Sequence, residues 1–232
     1  MTVLSNLKLT YFAIPGRAES IRLALKIGGI PFEDIRVEFP QWMELIGDTP
    51  WGKLPYIDLS DGTRLAQQRA ILRLIGKETG LYPTDPIEAA KVDELCDALD
   101  DMVQWTVNTT GGSNVLGRLA MGMDQAAKDA ARKETPETAT LAAKLKTLDA
   151  YIAKSGSVGY AVGDKLTVAD IFIASTLCTI DNGILDGVPD NVFDPYENIK
   201  ALMKNVVNHP KISGYLDEMK DKMHYDAFTR AK

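Results

Sequence analysis

The stretch from residue 53 to residue 73 constrains the fold most strongly, because it joins a predicted hairpin directly to a predicted helix. Asp61-Gly62 separates two short apolar segments, and this pair predicts a β-hairpin because glycine tolerates positive φ. Ala70 to Ile75 then supplies the apolar side of a helix. Free N–H groups at the start of such a helix favour an anion. Two interpretations stay open here: a carboxylate or phosphate site on a sheet edge, or an ordinary hairpin and helix without a ligand.

The first part of the chain predicts a strand, a helix and a second strand. Residues 7–12 alternate over most of their length, which indicates a strand. A helix with an apolar side follows and is predicted to end at Gly28-Gly29. Residues 32–37 form a second strand candidate, and Pro40 to Thr49 is predicted to be a loop or short helix. This order implies a parallel strand pair with a right-handed crossover, to which the hairpin adds an antiparallel edge.

A domain boundary is predicted between residues 81 and 86. Pro83 and Pro86 stop one helix and allow another to start. Beyond this point no convincing strand pattern occurs, and the apolar residues keep helical spacing. The sequence therefore predicts an α/β domain over residues 1–82 and an all-α domain over residues 83–232.

A second strong local signal lies at residues 163–170. Thr167 and Asp170 have the spacing of a capping box, and Leu166 and Ile171 have the spacing of a hydrophobic staple. The helix that follows, residues 168–180, is apolar almost all round and is predicted to be buried. A buried carboxylate at its start must be satisfied by N–H groups. We therefore assign Asp170 to folding and stability and give it no catalytic role.

Composition excludes several classes of function. The chain has 232 residues and a net charge of -6, with no basic stripe that would favour nucleic acid. It contains no run of about 18 apolar residues, the length that a membrane helix needs. The N-terminus lacks the pattern of a signal peptide. Cys96 and Cys178 are the only cysteines, which suits a reducing compartment, and we expect a cytoplasmic protein.

Several catalytic and metal-binding patterns do not occur in the sequence. There is no G-x-G-x-x-G, H-E-x-x-H or C-x-x-C motif. His209 and His224 are the only histidines, which excludes a histidine-rich metal site, and we expect no metal. Both cysteines lie in helical patterns and are interpreted as small core residues.

Segments in both halves of the chain resemble one known family, the cytosolic glutathione transferases. The segments that carry the resemblance are Thr10-Tyr11-Phe12, Gly16-Arg17-Ala18-Glu19, Gly52-Lys53-Leu54-Pro55, Asp61-Gly62, Leu65-Ala66-Gln67, Ala70-Ile71-Leu72-Arg73 and Leu166-Thr167-Val168-Ala169-Asp170. The chain is most similar to the sigma class, with the pi, alpha and mu classes as relatives. This resemblance implies a thioredoxin-like N-terminal domain, an all-helical C-terminal domain, a homodimer, and detoxification by adding glutathione to hydrophobic electrophiles.

The resemblance also implies how glutathione would be activated. A free thiol has a pKa of about 8.5, so little thiolate exists at pH 7. A hydroxyl that donates a hydrogen bond to the sulfur favours the charged form. Tyr11 would be that donor, and Arg17 would lie near the thiol and support Tyr11. On pattern alone, Tyr11 would be interpreted as a half-buried aromatic residue of the first strand.

The resemblance assigns the parts of glutathione to particular residues. Leu54, before a cis Pro55, would present its backbone to the cysteinyl part, and Gln67 with the N–H of Gln68 would hold the γ-glutamyl carboxylate. The remaining contacts would come from Trp42 and Lys53 at the glycyl end, from Asp101 across a dimer interface, and from Trp51, which matches an aromatic that some classes insert into the partner. The electrophile pocket would be lined by Phe12, Ile14, Trp105 and the tail near Tyr225 or Phe228.

Two residues depart from the pattern of the family and favour an alternative function. The family usually has serine where Gln68 stands, and the sigma class has lysine at the position of Ile46. Both changes weaken the glutathione site. The alternative is a non-catalytic relative, crystallin-like or a scaffold, in which the fold persists without activity. A thiol-exchange relative of the omega type would need a cysteine near residues 11 to 19, and the sequence has none there.

Overall fold

A computed structural model describes residues 3–109, 140–155, 157–181, 188, 191–222 and 224–232. Its sheet has four strands in the spatial order β2-β1-β3-β4. The strands are β1 (Leu7–Phe12), β2 (Phe32–Val37), β3 (Tyr56–Asp58) and β4 (Arg64–Ala66). Strands β1 and β2 are parallel, whereas β3 is antiparallel to both β1 and β4.

The described helices lie on both sides of the predicted domain boundary. The N-terminal ones are α1 (Glu19–Gly28), α2 (Phe39–Leu45) and α3 (Gln68–Thr79). The C-terminal ones are α4 (Pro86–Thr109), α5 (Leu141–Lys154), α6 (Val168–Ile180), α7 (Glu197–Val207), α8 (Ser213–Met219) and α9 (Asp226–Arg230). The N-terminal part is thus α/β and the described C-terminal part is helical, which confirms the predicted fold class.

Local sequence signals fix the elements of the N-terminal sheet. Gly29 ends α1 in the left-handed conformation, with a φ of 72°, as the Gly-Gly pair predicts. Gly62 has a φ of 87° between β3 and β4, which confirms the predicted hairpin. Helix α1 joins the parallel strands, with Leu7 paired to Phe32 in the register. The strand–helix–strand unit therefore places the end of β1 at the edge of the sheet where α1 begins.

The capping box of α6 is formed as predicted. The carboxylate of Asp170 accepts hydrogen bonds from the backbone N–H groups of Thr167 and Ala161, each at 2.7 Å. Burial raises the pKa of Asp170 to about 6, although the hydrogen bonds from the two N–H groups act in the opposite direction and lower it. The carboxyl group is therefore charged at neutral pH, and its charge is compensated by N–H groups and the helix start.

Helix α6 lies at the centre of the packing. Most of its side chains are buried, and it packs against α1 and α3 of the N-terminal part. It also packs against α4, α7 and α9 of the C-terminal part. One hydrophobic cluster therefore extends from the sheet into the helical part.

The two cysteines belong to the packed interior. Cys96 and Cys178 are free and buried, and burial raises the pKa of Cys96 to about 12. Both thiols therefore stay protonated at neutral pH, as expected for core residues. Among the described residues, no group of histidine, cysteine and carboxylate side chains could hold a metal ion. None of the described helices has the length and apolar character needed to cross a membrane.

Candidate active site

Tyr11 lies near the end of β1, with only 8% of its surface exposed. Its phenolic oxygen accepts a hydrogen bond from the backbone N–H of Arg17 at 3.1 Å. Burial raises the pKa of the Tyr11 phenol above its ordinary value, and the Arg17 N–H opposes this shift. The phenol is therefore protonated at neutral pH. Within the part of the chain that the structure describes, no acceptor takes its proton, so Tyr11 is a hydrogen-bond donor without a protein partner.

Gly16 allows the chain to pass close to the Tyr11 ring. A Cβ atom at position 16 would lie 2.7 Å from the phenolic oxygen, and the φ of Gly16 is +44°. Any other residue would meet both the ring and an unfavourable backbone conformation. The close approach places the next N–H, that of Arg17, against the Tyr11 oxygen.

The start of α3 provides a second polar position. Gln67 precedes the helix with a φ of 75° and a ψ of 109°, and its side chain is exposed. The first N–H groups of a helix have no acceptor inside the helix itself. Together with the helix dipole they favour a carboxylate. This arrangement supports the anion site that the sequence suggests.

The amide of Gln68 makes a contact inside the protein and does not simply replace the serine that the resemblance implies at this position. Its amide Nε2 donates to the hydroxyl oxygen of Ser20 on α1 at 2.8 Å, and both residues are buried. The hydrogen bond ties α3 to α1. The amide nitrogen is thus committed to the protein interior, whereas the backbone N–H at position 68 stays at the helix start.

The segment before β3 has the conformation that the resemblance implies. The Leu54–Pro55 peptide bond is cis, and Pro55 is buried. Lys53 is extended, with a φ of −144° and a ψ of 156°, and its side chain is exposed. Leu54 is half-buried at this edge.

Three aromatic rings connect the end of β1 to α2. Phe12 lies edge-on to Tyr11, with ring centroids 5.5 Å apart, and edge-on to Trp42, with centroids 6.0 Å apart. Trp42 and Phe12 are half-buried, and Ile14 is half-buried two residues further along the chain. Phe12 therefore links the ring of Tyr11 to that of Trp42 in one chain of aromatic contacts.

Family comparisons assign both halves of the chain. Residues 7–77 match the N-terminal domain of glutathione S-transferases, and residues 113–219 match their C-terminal domain. The chain belongs to the glutathione S-transferase family. Relatives named glutathione S-transferase, about 30% identical over most of the chain, show that it is an enzyme of that family, a glutathione transferase.

Relatives and solved structures of the transferase family cover nearly the whole chain. Glutathione S-transferase 1 of Ascaris suum is 32% identical over 91% of this chain and 95% of its own. The hematopoietic prostaglandin D synthase of Gallus gallus is 29% identical over 92% of this chain and 96% of its own. An S-crystallin of Nototodarus sloanii is 28% identical over 90% and 94% of the two chains. The crystal structure of the glutathione S-transferase from Ascaris lumbricoides has a TM-score of 0.74 and 31% identity, covering 92% and 97%. These relatives confirm the resemblance to a sigma-like class.

The charged residues around Arg17 differ in part from those that the transferase pattern suggests. Asp101 on α4 is exposed. The neighbouring Asp100 forms ion pairs with Arg17, at 3.5 Å, and with Arg69, at 3.7 Å. Sequence reasoning missed Asp100. No pattern in the sequence distinguishes Asp100, because its partners lie on other elements: Asp100 and Asp97, three residues apart on α4, both pair with Arg69.

Tyr225 occupies a different place from the pocket wall that the transferase resemblance implies. It is 1% exposed, and its hydroxyl donates to Glu19 on α1 at 2.6 Å. A buried side chain that serves Glu19 cannot line an open pocket, so its expected role is corrected. Phe228 is also buried, against the Tyr225 ring. Trp105 belongs to α4, but its side chain lies outside the described residues.

Proposed function

We propose that this transferase activates the glutathione thiol as a thiolate and directs it at electrophilic small molecules. In this proposal residues 1–82 bind glutathione and residues 83–232 contribute to the electrophile pocket. One observation carries the proposal. Tyr11 is buried and protonated, its oxygen is held by the Arg17 N–H, and its proton faces no acceptor among the described residues.

The proposed reaction requires only a stabilised thiolate. The glutathione thiol loses its proton to solvent, and the Tyr11 hydroxyl donates to the resulting sulfur anion. The sulfur then forms a bond to the electrophilic carbon, while a leaving group departs with its electron pair or an activated double bond accepts the pair. Each unit by which Tyr11 lowers the pKa of the thiol corresponds to about 1.4 kcal/mol of thiolate stabilisation.

The proposed glutathione position uses both polar features of the site. The γ-glutamyl carboxylate lies at the start of α3, between Gln67 and the N–H of Gln68, and the cysteinyl backbone pairs with Leu54 beside Pro55. Arg17, which pairs with Asp100, lies near the proposed thiol and supports Tyr11. The remaining proposed contacts are Trp42 and Lys53 at the glycyl end and Asp101 from a partner subunit.

The proposed electrophile site is apolar. Phe12 and Ile14 are half-buried next to Tyr11 and offer hydrophobic surface to a substrate. Trp105, on α4, is the remaining residue that we propose for the electrophile pocket. Aromatic walls of this kind favour hydrophobic electrophiles, because their burial removes apolar surface from water.

We further propose that the protein acts as a cytoplasmic homodimer in detoxification. Trp51 is 79% exposed in the single chain, and its backbone holds a φ of 61°. An exposed tryptophan side chain of this kind is suited to insertion into a second subunit. The free, buried cysteines fit a reducing compartment.

Conjugation of a generic chloronitrobenzene substrate tests the proposed function. The wild-type protein should form the thioether, and Tyr11→Phe should lower turnover about 100-fold while glutathione still binds. Tyr151→Phe is the matched control, because its hydroxyl bonds Glu94 instead. A Tyr11→Phe variant with wild-type turnover would remove the proposed role of Tyr11.

The commitment of the Gln68 amide to Ser20 favours the non-catalytic alternative, because that amide nitrogen cannot then replace the hydroxyl that a serine at this position would offer to the carboxylate. Calorimetry with millimolar glutathione separates the two functions. Binding with turnover supports the transferase. A folded wild-type protein with neither heat of binding nor turnover supports the crystallin-like alternative.

A further inference from the structure

The loop between Tyr11 and Arg17 is held by a buried guanidinium. Arg22, on α1, is completely buried. Its Nη1 donates to the carbonyl oxygen of Ile14 at 2.9 Å and to that of Pro15 at 3.4 Å. Its Nη2 donates to the carbonyl oxygen of Phe12 at 3.4 Å. A single side chain thus fixes the backbone of Phe12, Ile14 and Pro15, which follows Tyr11 in the chain.

Two carboxylates balance the charge of Arg22. Its Nε lies 3.1 Å from both oxygens of Asp34 on β2, and its Nη1 lies 3.1 Å from Oε2 of Glu19. A buried cation is stable only when it is paired and hydrogen-bonded. Glu19 is completely buried as well, so the orientation of Arg22 depends on what holds Glu19.

Two tyrosines from the C-terminal end of the chain hold Glu19. Tyr215, on α8, donates to Oε1 at 3.0 Å, and Tyr225, just before α9, donates to Oε2 at 2.6 Å. The two hydroxyl oxygens are 3.0 Å apart. Burial and the Glu19 charge raise the pKa of both phenols, so both stay protonated and act as donors.

We propose that Tyr215 and Tyr225 are positioning residues for the active site, acting through Glu19 and Arg22 on the loop of residues 12–15. The chain of contacts runs from the C-terminal helices to the carbonyl groups of that loop. The loop begins next to Tyr11 and ends at the turn that presents the Arg17 N–H to it. The C-terminal end thereby sets the geometry of the thiolate donor and of the electrophile surface without touching either ligand. This inference rests on the proposed function.

The test removes only the two hydroxyl groups. In the double variant Tyr215→Phe/Tyr225→Phe both rings are retained, but Glu19 loses its two hydroxyl donors, so its carboxylate and the Arg22 guanidinium that pairs with it are free to shift. Turnover at saturating glutathione should fall about tenfold, because small displacements of reacting groups are costly. The KM for glutathione should stay within about twofold of wild type, because the start of α3 is not part of the network.

Tyr196→Phe is the matched control. Its hydroxyl donates to the Ala142 carbonyl oxygen on α5 at 3.0 Å, and not to Glu19, so its removal leaves the donors of that carboxylate in place. It should retain wild-type turnover. A loss of turnover as large in Tyr196→Phe as in the double variant would show a general loss of stability and overturn the positioning role.

Amide hydrogen exchange gives a readout that does not depend on activity. The Arg17 N–H and its neighbours in residues 12–17 should exchange about tenfold faster in the double variant than in wild type or Tyr196→Phe. Unchanged exchange at residues 12–17 in the double variant overturns the proposal. If wild-type protein does not conjugate the electrophile, the proposed function fails, and exchange at residues 12–17 still decides whether the tyrosines position the loop.

Discussion

The phenolic oxygen of Tyr11 and the backbone nitrogen of Arg17 lie 3.1 Å apart, and the N–H donates to the oxygen. Because the oxygen is occupied as an acceptor, the hydroxyl proton is directed elsewhere. Donation from the N–H also opposes the effect of burial on the pKa of Tyr11. The same contact therefore occupies the acceptor side of the oxygen and partly offsets the rise in the pKa of Tyr11 that burial causes.

Replacing Tyr11 should change the ionisation of bound glutathione. In Tyr11→Phe we expect the pKa of the bound thiol to rise about 1–2 units, towards the free-thiol value of about 8.5, because the sulfur loses its donor. Ultraviolet difference absorbance of the thiolate, titrated with pH, measures this. Tyr151→Phe should titrate as wild type. Equal thiol pKa values in Tyr11→Phe and wild type would contradict the donor role.

Gly16→Ala should displace the Tyr11 ring. The new Cβ would lie 2.7 Å from the phenolic oxygen at a φ of +44°, so both contact and backbone are unfavourable. We expect a loss of stability of about 1–3 kcal/mol, measured by urea unfolding, together with reduced turnover. At Gly47 an added Cβ meets nothing within 4 Å, so Gly47→Ala is the control. Wild-type stability in Gly16→Ala would disprove the close approach.

Gln68→Ser should tighten glutathione binding. It places a hydroxyl at the start of α3 and removes the amide that donates to Ser20. One hydrogen bond to a charged group corresponds to about a tenfold lower Kd, which isothermal titration calorimetry resolves. Gln68→Ala is the control, since it breaks the Ser20 bond without adding a hydroxyl. If both variants bind with the same affinity, the carboxylate does not lie at this position.

Asp170→Ala should lower the melting temperature. It leaves the buried N–H groups of Thr167 and Ala161 without their acceptor and removes the capping box of α6. We expect a loss of about 3 kcal/mol, or about 10 °C, in thermal unfolding at pH 7. Asp164 is exposed in the preceding turn, so Asp164→Ala should melt close to wild type. A stable Asp170→Ala variant would refute this account.

Trp51→Ala should weaken self-association. A tryptophan that inserts into a partner commonly contributes about 2 kcal/mol or more, which corresponds to at least about a 30-fold higher dimer Kd. Sedimentation velocity over a range of concentrations measures this. Ile87 is 65% exposed on the helical part, and Ile87→Ala is the control. A monomeric wild-type protein, or an unchanged Kd in Trp51→Ala, would contradict the proposed dimer contact.

The parts of the fold that sequence predicted correctly are those fixed by neighbours along the chain. Asp61-Gly62 specifies a turn through the φ that glycine permits, and Gly62 adopts it. Thr167 and Asp170 are three residues apart, so their capping box needs no information from elsewhere.

The features that sequence missed depend on contacts between distant residues. Tyr225 and Glu19 are far apart in the chain, and nothing in the C-terminal pattern indicates that the hydroxyl bonds α1. Asp100 and Asp101 differ by one position, and that difference rotates a side chain by about 100° around α4. Only the packing of α4 beside Arg17 selects Asp100 as the partner. The direction of the Gln68 amide depends in the same way on Ser20.

The buried helix α6 has a consequence for how the chain unfolds. Its side chains fill the space against α1 and α3 as well as against the helices that follow it in sequence. If α6 separates from the rest, the apolar faces of α1 and α3 lose their cover and meet water. The predicted boundary near residue 82 therefore separates two parts of the topology without separating their stability: the N-terminal part is stabilised by a helix that is encoded more than halfway along the chain.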